Sequence, residues 1–161
     1  MIRAARPEDA AAIAALLNHW IATSAITFTP TPKTAEDIAD QIAAKAAAGH
    51  GFFVAMKDGA LLGQASYGQF RASAGYATCM EHSISLAPDA RGQGLGRALL
   101  ATVEDHARTG GAHQMIAAVS GENPEGRAFH DRMGYRLIAT VPQAGFKFGR
   151  FMDLWLMQKF L

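Results

Sequence analysis

The stretch "RGQGLGRALL", Arg91 to Leu100, sets three glycines at alternate positions between an arginine and an apolar run that opens a helix. Unpaired N–H groups and the positive end of the dipole converge at such a helix start, and glycines keep side chains out of the approach, so the segment is suited to hold an anion. Spacing excludes two nucleotide loops. A P-loop would end Gly-Lys-Ser/Thr where this chain reads Gly96-Arg97-Ala98, and a dinucleotide fingerprint needs a glycine where Arg97 stands. The preceding strand also follows a hairpin rather than opening a βαβ repeat. A plain glycine-rich turn is the alternative that the loop alone leaves open.

Downstream, "GLGRALLATVEDHARTG" places Leu95, Leu99, Val103 and Ala107 on one helical stripe. "HQMIAAV" then reads as a buried strand and "NPEGRAFHDRM" as a short helix with Asn123 as cap and Pro124 in the first turn. "GYRLIATV" and "GFKFGRFMDLWLMQKFL" close the chain as two strands, the last running from Phe146 to Leu161 and apolar at both parities. Upstream, "FFVAM", "ALLGQASYGQF" and "YATCMEHSISL" are strand-like, the first two joined at "KDG", a tight-turn signal. Before them come a short strand "IRAA", a helix with Ile13, Leu16, Leu17 and Trp20 at helical spacing, a Thr/Pro-rich loop, and a second helix capped by Thr34. The sum is βααβββαβαββ: an α/β chain with a mixed, mostly antiparallel sheet and helices on both faces.

The 161 residues fit one domain, with fifteen basic and fourteen acidic residues for a net charge of +1. That balance gives no field for a polyanion, so no nucleic-acid partner is expected. Cys79 is the one cysteine, which rules out an internal disulfide and a CxxC zinc site; no metal is expected. "MIRAARPEDA" lacks a signal-peptide core and no run nears the roughly 20 apolar residues of a membrane span. The expectation is a cytoplasmic chain with no membrane partner.

Within "YATCMEHSISL", strand parity places Cys79, Glu81, Ser83 and Ser85 on one face and Met80, His82, Ile84 and Leu86 on the other. With helices on both faces, a mid-strand carboxylate lines a cleft, where Glu81 can act as a general base. His82 reads as a core histidine, and His130 as either a flank residue or a proton donor or acceptor near working pH.

"RGQGLG", Arg91–Gly96, resembles the Arg-x-x-Gly-x-Gly pyrophosphate loop of the GNAT acetyltransferases, whose element order runs through this chain. "GQASYGQFRASAGYATCMEHSISL", "AFHDRMGY" and "AGFKFGRFMDLWLMQKFL" resemble the phosphinothricin and methionine sulfone/sulfoximine N-acetyltransferases of that superfamily. The resemblance implies acetyl-CoA as donor and the amino group of a small amino-acid analogue as acceptor, with a homodimer as the assembly. It implies Glu81 and His130 as catalytic residues, with Ile84, Ser85, Leu86, Arg91, Gly92, Gln93, Gly94, Leu95, Gly96, Arg97 and Asn123 on the cofactor. Phe28, Thr29, Arg71, Ala72, Ser73, Tyr76, Glu81 and Lys147 are the expected acceptor contacts; Arg71 suits a carboxylate or phosphinate, and Arg150 ranks below it. Ser85 and Gly126 depart from that narrower group, which commonly has tyrosine and serine or alanine there. Acetylation of polyamines, aminoglycosides or protein amino termini is the competing activity, and a non-catalytic CoA-binding module the competing class.

Overall fold

The computed structural model describes residues 1–161. Strands β1 (Ile2–Ala4), β2 (Phe52–Lys57), β3 (Ala60–Gln69), β4 (Cys79–Leu86), β5 (Gln114–Ser120), β6 (Arg136–Lys147) and β7 (Arg150–Phe160) form one sheet in the order β1-β2-β3-β4-β5-β7-β6. Helices α1 (Ala10–Thr23) and α2 (Ala35–Ala47) precede β2; α3 (Leu95–Thr109) and α4 (Pro124–Arg132) flank β5. The element order expected from the sequence is the one observed.

Alternation along the strands sorts the core into two layers. Val54 and Phe52 pack under Ile13, Ala14, Ile38 and Ile42 of α1 and α2. On the opposite face Ala55, Met80, Met115, Ala117 and Met157 pack under Leu99, Leu100, Val103 and Ala107 of α3. A buried Glu104 fastens α3 to the sheet, accepting from Lys159 Nζ at 2.6 Å and from Tyr135 Oη at 3.0 Å.

Two turns show their chemistry in the backbone. Asp58 and Gly59 both adopt positive φ, as the two-residue hairpin turn at "KDG" requires. Phe148 and Gly149 do the same, and Lys147 pairs with Arg150. The last strand therefore begins at Arg150, and Phe146 and Lys147 belong to β6, a correction to the expected boundary. A phenylalanine in the left-handed region is unusual, which is why "KFGR" reads as continuous strand from propensity alone.

Every strand pair is antiparallel except β4 with β5, which pair in parallel only at Cys79–Glu81 against Gln114–Ile116. Past Glu81, β4 stays with β3 up to Leu86 while β5 stays with β7 up to Ser120. The sheet opens there into a notch, and Glu81 stands at its closed end.

Candidate active site

Backbone direction in the notch follows from the ladder. The Cys79 carbonyl accepts from Phe70 and the Ala87 N–H donates to Leu62, so odd-numbered residues of β4 bond to β3. The main-chain groups of Ile84 and Leu86 consequently face the notch, a strand edge open to an extended ligand. Trp20 of α1 donates Nε1–H to the Leu86 carbonyl at 2.9 Å, and its ring lies 4.6 Å from the Arg91 guanidinium.

A groove of about 450 Å³ runs from this edge to the start of α3, lined by Ile84, Ser85, Leu86, Arg91, Gly92, Gly94, Gly96, Arg97 and Asn123 among others. Gly92 and Gly94 have φ of 74° and 79°, so the loop curls with no side chain over the helix start. At Gly96 a Cβ would lie 3.4 Å from both Leu86 and Phe129, ordinary van der Waals contact, so the start of α3 sits directly against these two side chains. Arg91, Arg97 and Arg132 line the groove against one carboxylate, Glu125, which Arg91 meets at 2.9 Å. The surplus of cations and the free helix terminus fit a pyrophosphate. Gln93 is turned to the Asp89 carbonyl and Leu95 is half-buried against the core; neither lines the groove.

A second cavity of about 530 Å³ continues from the first, sharing Trp20, Ile26, Ile84, Ser85, Asn123 and His130. Its walls include Phe28, Thr29, Lys33, Gln41, Glu81, Ser83, Ala118 and Leu154. Residues of both strand parities line it, so the space passes through the sheet at the notch. Glu81 is its only carboxylate. Burial pushes the Glu81 carboxyl above its ordinary range, and the Lys45 ammonium pulls it back.

Asn123 caps α4, accepting from Gly126 N–H at 2.9 Å. A Cβ at Gly126 would come within 2.3 Å of the Asn123 amide nitrogen, so this glycine leaves room for the cap in the rotamer seen.

His130 and His82 form a buried pair, their rings stacked with Nε2 atoms 3.1 Å apart. The Gly126 carbonyl lies 2.7 Å from His130 Nδ1 and can only accept, so Nδ1 carries the proton. In a neutral ring His130 Nε2 is then the acceptor, and the bridging proton belongs to His82. His82 Nδ1 is left bare, buried and without a partner. Burial, reinforced by His130, holds the His82 pKa down to about 3, and burial also lowers His130. Both nitrogens of His130 are thereby engaged.

Other expected acceptor contacts lie elsewhere. Arg71, Ala72, Ser73 and Tyr76 are exposed on the loop between β3 and β4, outside the cavity. Lys147 is buried, donating to the carbonyls of Ser24 and Thr27 at 2.8 and 3.0 Å, so it fastens the segment carrying Phe28 and Thr29. Arg150 pairs with Glu122 at 2.6 Å. Trp20, Lys33 and Gln41 line the cavity, and Lys45 acts on the Glu81 carboxyl, though the sequence assigned none of the four to the site. Trp20 gave a signal in its indole N–H, which seeks a partner when buried. Lys45 gave another by standing where the α2 stripe calls for an apolar side chain.

An open strand edge leading from a cationic helix start to a through-sheet cavity with one carboxylate defines a group-transfer enzyme with an extended, phosphate-bearing donor. The chain belongs to the acetyltransferase (GNAT) family, whose model matches residues 14–135. It is 37% identical to an L-amino acid N-acyltransferase of Escherichia coli K12, over 98% of this chain and 91% of that one. It is 34% identical to an L-methionine sulfoximine/L-methionine sulfone acetyltransferase of Salmonella typhimurium, over 98% and 92%. A phosphinothricin acetyltransferase from Sinorhizobium meliloti, solved in complex with acetyl-CoA, superposes with a TM-score of 0.95 at 31% identity, covering 100% of this chain and 88% of that one. No helix is long and apolar enough to cross a membrane.

Proposed function

We propose that this N-acetyltransferase transfers acetyl from acetyl-CoA directly to the amino group of a small amino-acid analogue such as methionine sulfone, methionine sulfoximine or phosphinothricin. The observation that carries the reading is Glu81, the single carboxylate in the cavity, at the point where β4 and β5 part. The acceptor arrives as an ammonium and must lose a proton before its nitrogen attacks the thioester carbonyl; Glu81 takes that proton. Acetyl-CoA supplies the activated acyl group: the N–C bond forms as the C–S bond breaks, and CoA leaves as a thiolate that takes up the second proton shed by the nitrogen. Gly92, Gly94, Gly96 and Arg97 hold its pyrophosphate with Arg91, and the Ile84 and Leu86 main chain pairs with its amide-bearing arm. An N–H in the notch can polarise the thioester carbonyl.

His130 sits where the two cavities join. With both nitrogens engaged it acts as a positioning group there. Lys33 is the only lysine or arginine lining the acceptor cavity, so it is assigned the acceptor's acid group; Arg71 is the alternative, from the exposed loop. Leu137, Ile138, Val141, Phe146, Phe148 and Phe151 are exposed along β6, β7 and their turn, a surface suited to a second copy of the chain.

Thiol release from acetyl-CoA, measured across the three amino acids, tests the reading. Turnover of at least one is expected, with kcat lowered about 10²–10⁴-fold by Glu81→Gln. No acetylation of any of them refutes it. Running the panel with Lys33→Met and Arg71→Ala decides which cation holds the acid group, because that variant raises the acceptor KM.

A further inference from the structure

The buried stripe of α2 runs Ile38, Ile42 and then Lys45, at i, i+4 and i+7 of one helix face. A third aliphatic residue would suit that stripe. The half-buried lysine instead donates Nζ–H to the carbonyl of Tyr67 at 2.8 Å. Tyr67 and Gly68 of β3 are register partners of His82 and Glu81, so the bond brings the ammonium beside the residue directly across from Glu81. That residue is a glycine: a Cβ on Gly68 would stand 3.3 Å from Lys45 Nζ. A lysine out of place on its helix and a glycine within a strand thus answer the same need, room for an ammonium next to the Glu81 carboxylate.

The position of the ammonium matters as much as its charge. Lys45 bonds to Tyr67 O and makes no ion pair with Glu81. A direct contact would occupy a carboxylate oxygen and make it a poorer base; an ammonium held one step back favours the ionised form and leaves the oxygens free. No other cation does this: Lys33 lines the same cavity as Glu81, but Lys45 is the cation that acts on the Glu81 carboxyl. His50, whose Nδ1 lies 3.8 Å from the same Cβ position on Gly68, is kept neutral by burial and by Lys45 itself. Cys79, two residues before Glu81 on the same face, has its thiol pushed up by burial and by Glu81. The neighbouring faces of β5 and α1 present Ile116 and Leu17, Trp20 and Ile21, none of them ionisable.

We propose that Lys45 is a positioning residue of the active site: its ammonium, anchored on the Tyr67 carbonyl over Gly68, keeps Glu81 ionised and free to take the acceptor's proton. The proposal rests on Glu81 being the base. Two readouts separate the two ideas. Titration of the Glu81 carboxyl by carbon NMR in the free protein needs no substrate. Lys45→Met is expected to raise its midpoint by about one pH unit, a tenfold change in its ionisation equilibrium, and Lys45→Arg to restore most of that shift. With acetyl-CoA and methionine sulfone, the acid limb of kcat/KM is expected to move up with the NMR midpoint. A purely structural lysine would lower the melting temperature and leave both midpoints in place. Should Lys45→Met unfold the chain, Lys45→Gln serves in its stead. Unmoved midpoints in a folded variant overturn the proposal while Glu81 remains the base; undiminished kcat in Glu81→Gln overturns both.

Discussion

Replacing His82 by phenylalanine should remove about 2 kcal/mol of this protein's acid sensitivity between pH 7 and pH 5. The ring is buried against His130 and Tyr135, and its pKa falls from 6.5 to about 3 on folding. A histidine whose folded pKa lies below its unfolded value binds a proton more readily when unfolded. Its contribution is therefore destabilising, begins as pH falls through 6.5, and saturates below about 3. At pH 7 both states leave the ring neutral. At pH 5 the unfolded ring is mostly protonated and the folded one is not, which amounts to about 2 kcal/mol, rising to about 5 kcal/mol at the acid limit. Phenylalanine keeps the ring and cannot titrate. It also leaves His130 Nε2 without its donor, so the variant should be less stable at pH 7 by about 1–3 kcal/mol. Urea unfolding of both proteins at pH 7, 6 and 5 measures the two effects separately. The wild type should lose about 2 kcal/mol more than the variant over that range. Parallel pH dependences would refute the reasoning, because they would mean His82 titrates alike in the folded and unfolded chain.

Two further outcomes follow from backbone and loop geometry. Gly94→Ala forces an L side chain into φ 79° at the head of α3, so it should cost about 1–2 kcal/mol of stability and raise KM for acetyl-CoA more than it lowers kcat. Lys147→Met takes a charged donor from the Ser24 and Thr27 carbonyls, so it should lower stability by about 2 kcal/mol and raise the acceptor KM, with KM for acetyl-CoA changed little. Unfolding curves and a two-substrate kinetic grid read both.

What could be read from residues alone was what depends on near neighbours. The change from helical to strand period, the glycine loop and the Thr34 and Asn123 caps are local, and each stands where the sequence puts it. Glu81 was legible because parity in one strand and helices on both faces suffice to place it. Lys147 was expected as an acceptor contact and instead holds the loop that carries Phe28 and Thr29, across more than a hundred residues that no spacing rule spans. The notch itself gave no local signal. It arises because β4 follows β3 and β5 follows β7 once their three-residue parallel pairing ends, a disagreement between two sheet halves rather than a property of either strand. The His82–His130 bond likewise joins a strand and a helix 48 residues apart that look unrelated until α4 packs against the sheet.

The anchor at Lys147 also bears on how the molecule is made. Residues 24–29 leave the ribosome early, but the carbonyls of Ser24 and Thr27 meet their ammonium only when β6 has been synthesised and has paired with β7. Domains form as units, and contacts of large sequence separation form late because closing the long loop between them is entropically costly. Until the closing hairpin has joined the sheet, the segment carrying Phe28 and Thr29 lacks the ammonium that fixes it over the cavity lined by Glu81. The wall that Phe28 and Thr29 give this cavity is therefore fixed late, with the closing hairpin.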